Sequence, residues 1–207
     1  DKSGKFTKQM TKDEFNQVKM DKIVVLQNED TASASEVLIG ALKDNLGKKV
    51  TTVGTTSYGK GTEQVTVPFS DGTSFKYTVA QWYTPNGTSI NKKGFKPDIE
   101  VELPEAKTTS YYKFNKKDVI KKDSVDTNAK PLQIYLKYLG YSVDRTDSYF
   151  SNTSSEGLAN FQQENGLDAT GDCNKTWDLL VEKVLLKMNE TPSDDTQRQS
   201  AIEEVEK

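Results

Sequence analysis

The stretch KIVVLQNEDTASASEVLIGALKDNLG, residues 22–47, joins a β-strand pattern directly to a helical one. Its first six residues, KIVVLQ, are a short β-branched run and predict a buried strand. From Glu36 to Leu46 apolar residues recur at helical spacing, and Gly47 follows where a helix would end. The stretch therefore predicts a strand, a tight turn and a helix in succession.

The segments that follow predict further strands. KVTTVG at residues 49–54 is a second β-branched run, and two alternating segments flank a Ser-Asp-Gly turn at residues 70–72. These patterns predict a strand and a β-hairpin, so we expect residues 1–103 to form an α/β unit. Residues 104–129 have no sustained period and predict a connector with a short strand around SYYKF.

A second, helical pattern occupies residues 130–189. Its first helix should end at Gly140, its second at Gly166, and its third should contain Trp177. These residues predict a small all-α domain of three helices. The remaining residues, 190–207, are strongly charged and predict a disordered tail.

Composition narrows the classes of function. The chain has 207 residues, a net charge of −3 and a mean hydropathy of −0.74. A net negative chain without a clustered cationic face does not favour nucleic-acid binding, and no apolar run is long enough for a membrane helix. With one cysteine, Cys173, and no histidine, we expect no disulfide, no transition-metal site and no cofactor. The opening DKSGKFTKQM indicates a fragment of a longer protein.

Hydroxyl groups are concentrated at the mouth of the predicted helix. The sequence from Ser33 to Glu36 fits the S-x-x-E capping box, in which the serine caps the helix and the glutamate reaches back. The same position suits a nucleophile, because free backbone N–H groups and the helix dipole stabilise an oxyanion there. The small residues Ala32 and Ala34 would let a substrate carbonyl approach. The residues alone leave both interpretations open.

A serine nucleophile in a chain without histidine needs another base, and a lysine can serve when burial keeps it uncharged. Lys60 lies between Gly59 and Gly61, which allow the backbone to approach another element closely. If this segment is extended, Lys60 and Gln64 share a face, so the glutamine amide could orient the amine. The alternative is a solvated turn lysine.

Several motifs in order resemble the carboxyl-terminal processing (tail-specific) peptidases. NEDTASASE, then GTTSYGKGTEQ and then YTPNGTSINKKGFKPDIEV match that family over about residues 22–103. The resemblance implies the C-terminal part of a ClpP/crotonase-like catalytic core. It also implies an upstream oxyanion motif and a PDZ domain, neither of which is in this sequence.

The resemblance assigns roles to individual residues. It makes Ser33 the nucleophile, Lys60 the general base, Gln64 the group that orients the lysine, and the Ala34 N–H an oxyanion donor. Lys60 lies 27 positions after Ser33, two more than the family spacing implies, and by spacing alone Ser35 is a rival nucleophile. We place the two extra residues in the loop that follows the helix.

The helical domain resembles the three-helix peptidoglycan-binding module. The matching features are LQIYLKYLGY, the FQQENGL of the second helix, and then ATG and TW. Candidate glycan-contacting residues are Tyr141, Tyr149, Gln162 and Gln163, because aromatic platforms with nearby amides favour carbohydrate. Packing of a small core is the alternative explanation for the aromatic residues.

Together these observations predict a Ser/Lys endopeptidase that cleaves envelope or secreted proteins through an acyl-enzyme. The alternative is a peptidoglycan-binding protein whose first domain is structural or inactive. The resemblances imply a site of action at the envelope of a Gram-positive bacterium, outside the cytoplasm. They allow a homodimer, and membrane attachment only through an N-terminal anchor missing from this sequence. The expected partners are a protein or peptide substrate and peptidoglycan.

Overall fold

The structure, a computed structural model, describes residues 19–110, 119–174 and 176–207. Its first half is mixed α/β and its second half is largely helical, which confirms the predicted fold class. The first half contains β1 (Ile23–Gln27), α1 (Ala34–Leu46), β2 (Val50–Gly54), β3 (Thr62–Pro68), β4 (Ser74–Gln81) and β5 (Ile99–Glu100). The second half contains α2 (Glu105–Thr108), β6 (Ser124–Val125), α3 (Ala129–Leu139), β7 (Tyr149–Phe150), α4 (Asn152–Glu164), α5 (Thr176–Glu190) and α6 (Thr196–Val205). None of these described helices is both long and apolar enough to cross a bilayer.

The strand, turn and helix predicted for residues 22–47 form the centre of the α/β unit. β1 and β2 pair in parallel, with Ile23 opposite Val50, and β5 pairs in parallel with the other side of β2. A parallel pair needs a crossover connection, and α1 supplies it. Ile39 of α1 and Val53 of β2 are buried, so the contact between this helix and the sheet forms the core.

β3 and β4 form the hairpin that the Ser-Asp-Gly turn predicted, with a β-bulge between Glu63 and Gln64. Every residue of β4 is exposed, so the hairpin stands out from the core. The rings of Phe75 and Tyr77 stack with centroids 5.5 Å apart on the apolar face of the hairpin. The hairpin therefore meets the rest of the α/β unit at its base, where β3 begins and β4 ends.

The three helices predicted for the second half are confirmed as α3, α4 and α5. Gly140, with a φ of 102°, ends α3 in the left-handed conformation that glycine adopts readily. The rings of Tyr135 and Trp177 stack 5.6 Å apart at the centre of the core. The largest buried side chains of this core belong to Ile120, Leu132, Tyr135, Leu136, Phe150, Leu158, Phe161, Trp177 and Leu180.

The segment predicted as a connector, residues 104–129, contributes to the helical core. Ala106 and Ile120 are buried in the same cluster as the helices. Ile120 and Cys173 exchange two backbone hydrogen bonds of 3.0 and 2.8 Å. The short strand predicted around SYYKF falls mostly on residues 111–118, which lie outside the described residues. The helical unit thus includes residues before its predicted start.

The prediction of a disordered tail over residues 190–207 was wrong, because α6 packs against β1 and β2. Gln197, which is buried, donates a 2.9 Å hydrogen bond from Nε2 to the Val101 carbonyl beyond β5. At the other end of the helix, Glu204 pairs with Lys22 at 2.7 Å. The polar side chains that attach α6 to the sheet, Gln197 and Glu204, belong to the polar composition from which a disordered tail was predicted.

Asp98, immediately before β5, ties α1 to β2. Its carboxylate accepts hydrogen bonds of 2.8 Å from Lys43 Nζ, from the Thr52 N–H and from the Thr52 hydroxyl. Burial acts to raise the pKa of Asp98, but the hydrogen bonds from Lys43 and Thr52 and the charge of Lys43 outweigh it and lower the pKa. The ionised carboxylate therefore stabilises the fold.

We expect Asp98→Asn to lower the free energy of unfolding by about 1 kcal/mol at neutral pH, because the charge-assisted hydrogen bonds are lost. The pKa of an aspartate in the unfolded chain is about 3.9. Because the pKa of Asp98 is lower in the folded protein, Asp98 stabilises the fold fully above the unfolded pKa, and this stabilisation is lost as the pH falls through the folded pKa. Denaturant titrations at about pH 7 and about pH 2.5 measure the effect. A difference between variant and wild type that does not shrink at the lower pH would contradict this assignment.

Candidate active site

Ser33 lies immediately before the first residue of α1, and its backbone is strained. Its φ of 56° and ψ of −114° fall in a region that glycine favours and that other residues rarely adopt. Of the non-glycine residues that the structure describes, only Lys92 and Asp123 also have a positive φ. Such strain persists only where the surrounding structure enforces it, and it clusters at functional sites.

The residues after Ser33 are less constrained. Ser35, the rival nucleophile by spacing, is exposed within the first turn of α1, and its N–H donates to the Ala32 carbonyl at 3.2 Å. Ala34 is the first helical residue, so its N–H is one of those without an acceptor inside the helix. This N–H lies at the positive end of the helix dipole, where a developing negative charge is stabilised.

Glu36 is fully buried, and its carboxylate accepts four hydrogen bonds. Oε2 accepts from the N–H groups of Ser33 at 2.9 Å and Lys60 at 2.8 Å. Oε1 accepts from the Ser57 hydroxyl at 2.6 Å and the Gly59 N–H at 2.7 Å. Glu36 reaches back to the residue before the helix, as the capping box predicted, and the same oxygen also holds Lys60 beside Ser33.

The two glycines that flank Lys60 lie against other parts of the backbone, which confirms the predicted close approach. A Cβ atom on Gly59 would lie 2.7 Å from the Gly94 nitrogen. A Cβ atom on Gly61 would lie 2.7 Å from the Cβ of Asn91. Real Cβ atoms essentially never make contacts this short, so both positions require glycine.

Trp82 fixes the other side of Lys60. Its indole N–H donates to the Lys60 carbonyl at 3.0 Å, and its backbone N–H donates to the Gly61 carbonyl at the same distance. The backbone of Lys60 is therefore held at its N–H by Glu36 and at its carbonyl by Trp82. These bonds fix the Cα atom of Lys60, and therefore the point from which its side chain extends.

A cleft of about 500 Å³ opens beside this segment. Its lining residues are Ala32, Tyr58, Gly59, Lys60, Thr62, Gln64, Asn91 and Lys92. The structure thus brings Lys60 and Gln64 into one cleft, whereas Ser33 follows a lining residue, Ala32, without lining the cleft itself. No three potential metal-ligating side chains lie together within the described ranges.

The prediction that Gln162 contacts glycan is wrong. Gln162 is buried, and both atoms of its amide form hydrogen bonds inside the domain. Its Nε2 donates to the Asp172 carbonyl at 2.9 Å and to the Thr176 hydroxyl at 3.0 Å, and its Oε1 accepts from the Gly171 N–H at 2.8 Å. Gln162 therefore stabilises the turn after α4.

The other glycan candidates remain partly accessible. Tyr141 is half-buried, and burial together with its 2.6 Å hydrogen bond to Glu164 raises the pKa of Tyr141 to about 12. The Tyr149 hydroxyl donates to Asp123 at 2.7 Å, while Arg145 lies 4.8 Å from the centre of its ring. These tyrosines stay predicted glycan contacts, as does the exposed Gln163.

Two family models match the chain. Residues 1–101 match peptidase family S41, and residues 126–180 match a peptidoglycan binding domain. Residues 1–101 belong to peptidase family S41. The second match places a peptidoglycan-binding domain after the S41 domain, in the order that the motifs predicted.

Curated relatives extend beyond this chain. A "Probable CtpA-like serine protease" of Staphylococcus epidermidis is 38% identical over 176 residues, and one of Staphylococcus aureus is 39% identical over 180 residues. The alignments cover 84% of this chain but only 35% and 36% of those proteins. The chain therefore spans about a third of the length of these relatives.

Two solved structures resemble smaller parts of the chain. The photosystem II D1 C-terminal processing protease is 48% identical, covering 39% of this chain and 20% of that protein, with a TM-score of 0.35. Mature CPAF is 29% identical, covering 38% of this chain and 15% of that protein, with a TM-score of 0.34.

The sequence did not reveal the structural role of two residues in the candidate site, Glu36 and Trp82. Glu36 was predicted only as half of a capping box, although its S-x-x-E spacing was a usable signal. Trp82 gave no signal, because its contact with Lys60 spans 22 positions and the tip of the hairpin between them. Both residues act on Lys60 through the backbone, which residue patterns do not display.

We expect Glu36→Gln to lower the free energy of unfolding by about 3 kcal/mol, because in either orientation of the amide the new NH₂ group faces at least one N–H donor that then lacks an acceptor. Amide hydrogen exchange at Gly59 and Lys60 should accelerate in parallel. Chemical denaturation and exchange mass spectrometry measure the two effects. Glu63→Gln, an exposed change on β3, is the matched control; equal effects of the two substitutions would refute the role of Glu36.

Proposed function

We propose that this S41 domain is the catalytic part of a serine endopeptidase of the C-terminal processing type, with Ser33 as nucleophile and Lys60 as general base. The observation that carries the proposal is the shared acceptor: Glu36 Oε2 binds the backbone N–H groups of both residues. Two residues that bond to one oxygen through their N–H groups are neighbours whatever rotamers their side chains adopt. The names of the staphylococcal relatives support a serine protease.

The reaction is acyl transfer. Uncharged Lys60 accepts the proton of the Ser33 hydroxyl as the oxygen attacks the peptide carbonyl, and the resulting ammonium returns a proton to the leaving amine. The Ala34 N–H stabilises the oxyanion, with the dipole of α1 behind it. Lys60 then activates a water molecule, which hydrolyses the acyl-enzyme and releases Ser33.

Gln64 has the role of holding the Lys60 amine towards Ser33. Its Nε2 donates a long hydrogen bond of 3.5 Å to the Thr78 hydroxyl across the hairpin, and its Oε1 is the atom that would accept from the Lys60 amine. A neutral amide suits this task better than a carboxylate would, because a nearby anion would favour the charged lysine. Gln64 is thus a positioning residue.

Hydrolysis of an unstructured polypeptide by the full-length protein tests the proposal. We expect Ser33→Ala and Lys60→Ala each to lower kcat by at least about a thousandfold, as the loss of a nucleophile or its base does elsewhere. Ser35→Ala, which removes the rival hydroxyl two residues away, should leave kcat within about twofold.

Lys60→Arg separates a base from a structural cation. Arginine keeps the positive charge but cannot lose its proton, so activity should fall as far as in Lys60→Ala. If Lys60→Arg stays active, Lys60 is not the group that transfers the proton. If Ser35→Ala is inactive while Ser33→Ala is active, the nucleophile is Ser35 and not Ser33.

We also propose that the helical domain attaches the peptidase to peptidoglycan, at the envelope of a Gram-positive bacterium. The match of residues 126–180 to the peptidoglycan binding domain supports this function, as do the staphylococcal relatives. Tyr149 is the foremost contact, because its half-buried ring lies beside Arg145 and Asp123, two charged groups that can hydrogen-bond to sugars.

Sedimentation with purified Gram-positive peptidoglycan measures this binding. We expect the protein to sediment with the glycan, Tyr149→Ala to weaken the binding about tenfold, and Tyr149→Phe to retain most of it because the ring remains. A wild-type protein that stays in the supernatant would show that the helical domain does not act as a wall anchor.

A further inference from the structure

The charges that line the active-site cleft are all of one sign. Among the described residues that line it, Lys60 and Lys92 are the two lysines, and none is an aspartate or a glutamate. Glu36 lies next to the cleft, but its carboxylate is buried and committed to four donors. A ligand that enters this cleft therefore meets positive charge, and no described lining residue carries a negative charge to neutralise it.

Lys92 is fixed to the same loop that positions Lys60. Its backbone N–H donates to the Gly59 carbonyl at 2.7 Å, and the Gly59 N–H is in turn bound by Glu36. Lys92 also shares with Ser33 a strained backbone, with a φ of 61°. This hydrogen bond holds the backbone of Lys92 in the wall of the cleft, and the side chain of Lys92 is exposed.

Neither cleft lysine pairs with an acidic side chain in the described ranges. The ion pairs of lysine in the described parts of the chain involve Lys22, Lys43, Lys96, Lys130 and Lys207. Lys60 and Lys92 take part in none of these pairs. A free ammonium group in the wall of a cleft attracts anionic ligands, and it does so more strongly than on a convex surface because the walls exclude some water.

We propose that Lys92 forms a subsite that binds a carboxylate of the substrate polypeptide beside the cleavage point. This inference rests on the proposed peptidase function and adds its substrate class. Lys60 cannot supply the attraction, because a general base must be uncharged when it acts. The two lysines thus have different roles: Lys60 transfers the proton, and the positive charge of Lys92 binds the carboxylate.

The carboxylate has two possible sources, an acidic side chain near the scissile bond or the C-terminal carboxylate of the polypeptide. Three peptides of one sequence distinguish them. The first has an internal Glu and an amidated C-terminus, the second has Gln and a free C-terminus, and the third has Gln and an amidated C-terminus. Only the first two carry a carboxylate, each from one source.

In the full-length protein, at least one carboxylate-bearing peptide should be cleaved with a kcat/KM about fivefold above that of the uncharged peptide, the size expected of a partly exposed ion pair. Lys92→Met should reduce this ratio to about one, and Lys92→Arg should retain it because the charge remains. Lys93→Met, at the neighbouring lysine that does not line the cleft, should leave the ratio unchanged. Raising the ionic strength should lower the ratio in the wild type, in Lys92→Arg and in Lys93→Met, and should have no effect in Lys92→Met.

A binding measurement separates this inference from the peptidase function. In the Ser33→Ala background, the carboxylate peptide should bind about fivefold more tightly than the uncharged one, and Lys92→Met should abolish the difference. Equal affinities in that background, or a preference that survives Lys92→Met, would overturn the carboxylate subsite even if the wild type is an active protease. If the wild type hydrolyses nothing but the Lys92-dependent preference in binding remains, the proposed function fails and the subsite stands.

Discussion

The buried carboxylate of Glu36 is the interaction on which the rest of the site depends. It has no cationic partner among the described residues, so its burial is offset by four hydrogen bonds and by the positive end of α1. Those donors come from two segments, residues 33–36 and 57–60, which are far apart in the chain. One side chain therefore converts two flexible turns into a single rigid unit, and any displacement of it would move Ser33 and Lys60 together.

The parallel sheet brings these two turns within reach of Glu36. Gln27 and Gly54, the last residues of β1 and β2, are partners in the ladder, so the loops that follow them leave the same edge of the sheet. Gly54 is needed there, because a Cβ atom on it would lie 1.9 Å from the Gln27 carbonyl oxygen. The position of the site at the carboxyl ends of the strands thus follows from the pairing of two short strands and the crossover helix between them.

The sequence predicted the elements that local residue patterns indicate, and it missed the features that depend on polar contacts between residues distant in the chain. Strand, helix and hairpin periods predicted the α/β unit and the three main helices. The tail failed as a prediction because α6 is polar and docks through Gln197 and Glu204, so it lacks the apolar stripe from which helices are recognised. For the same reason the roles of Glu36 and Trp82 became visible only in three dimensions, since each acts on the backbone of a residue more than 20 positions away.

The two interpretations of the hydroxyl-rich helix mouth, a capping box and a nucleophile, are not true alternatives. In the capping box the Glu36 carboxylate reaches back and accepts a 2.9 Å hydrogen bond from the Ser33 N–H. An ordinary cap would leave the serine backbone in the extended region, whereas Ser33 has a φ of 56°. The bond to Glu36 is what can hold this strained conformation, because it anchors the residue from its N–H side. In this arrangement the same four residues begin the helix and hold the backbone of the proposed nucleophile.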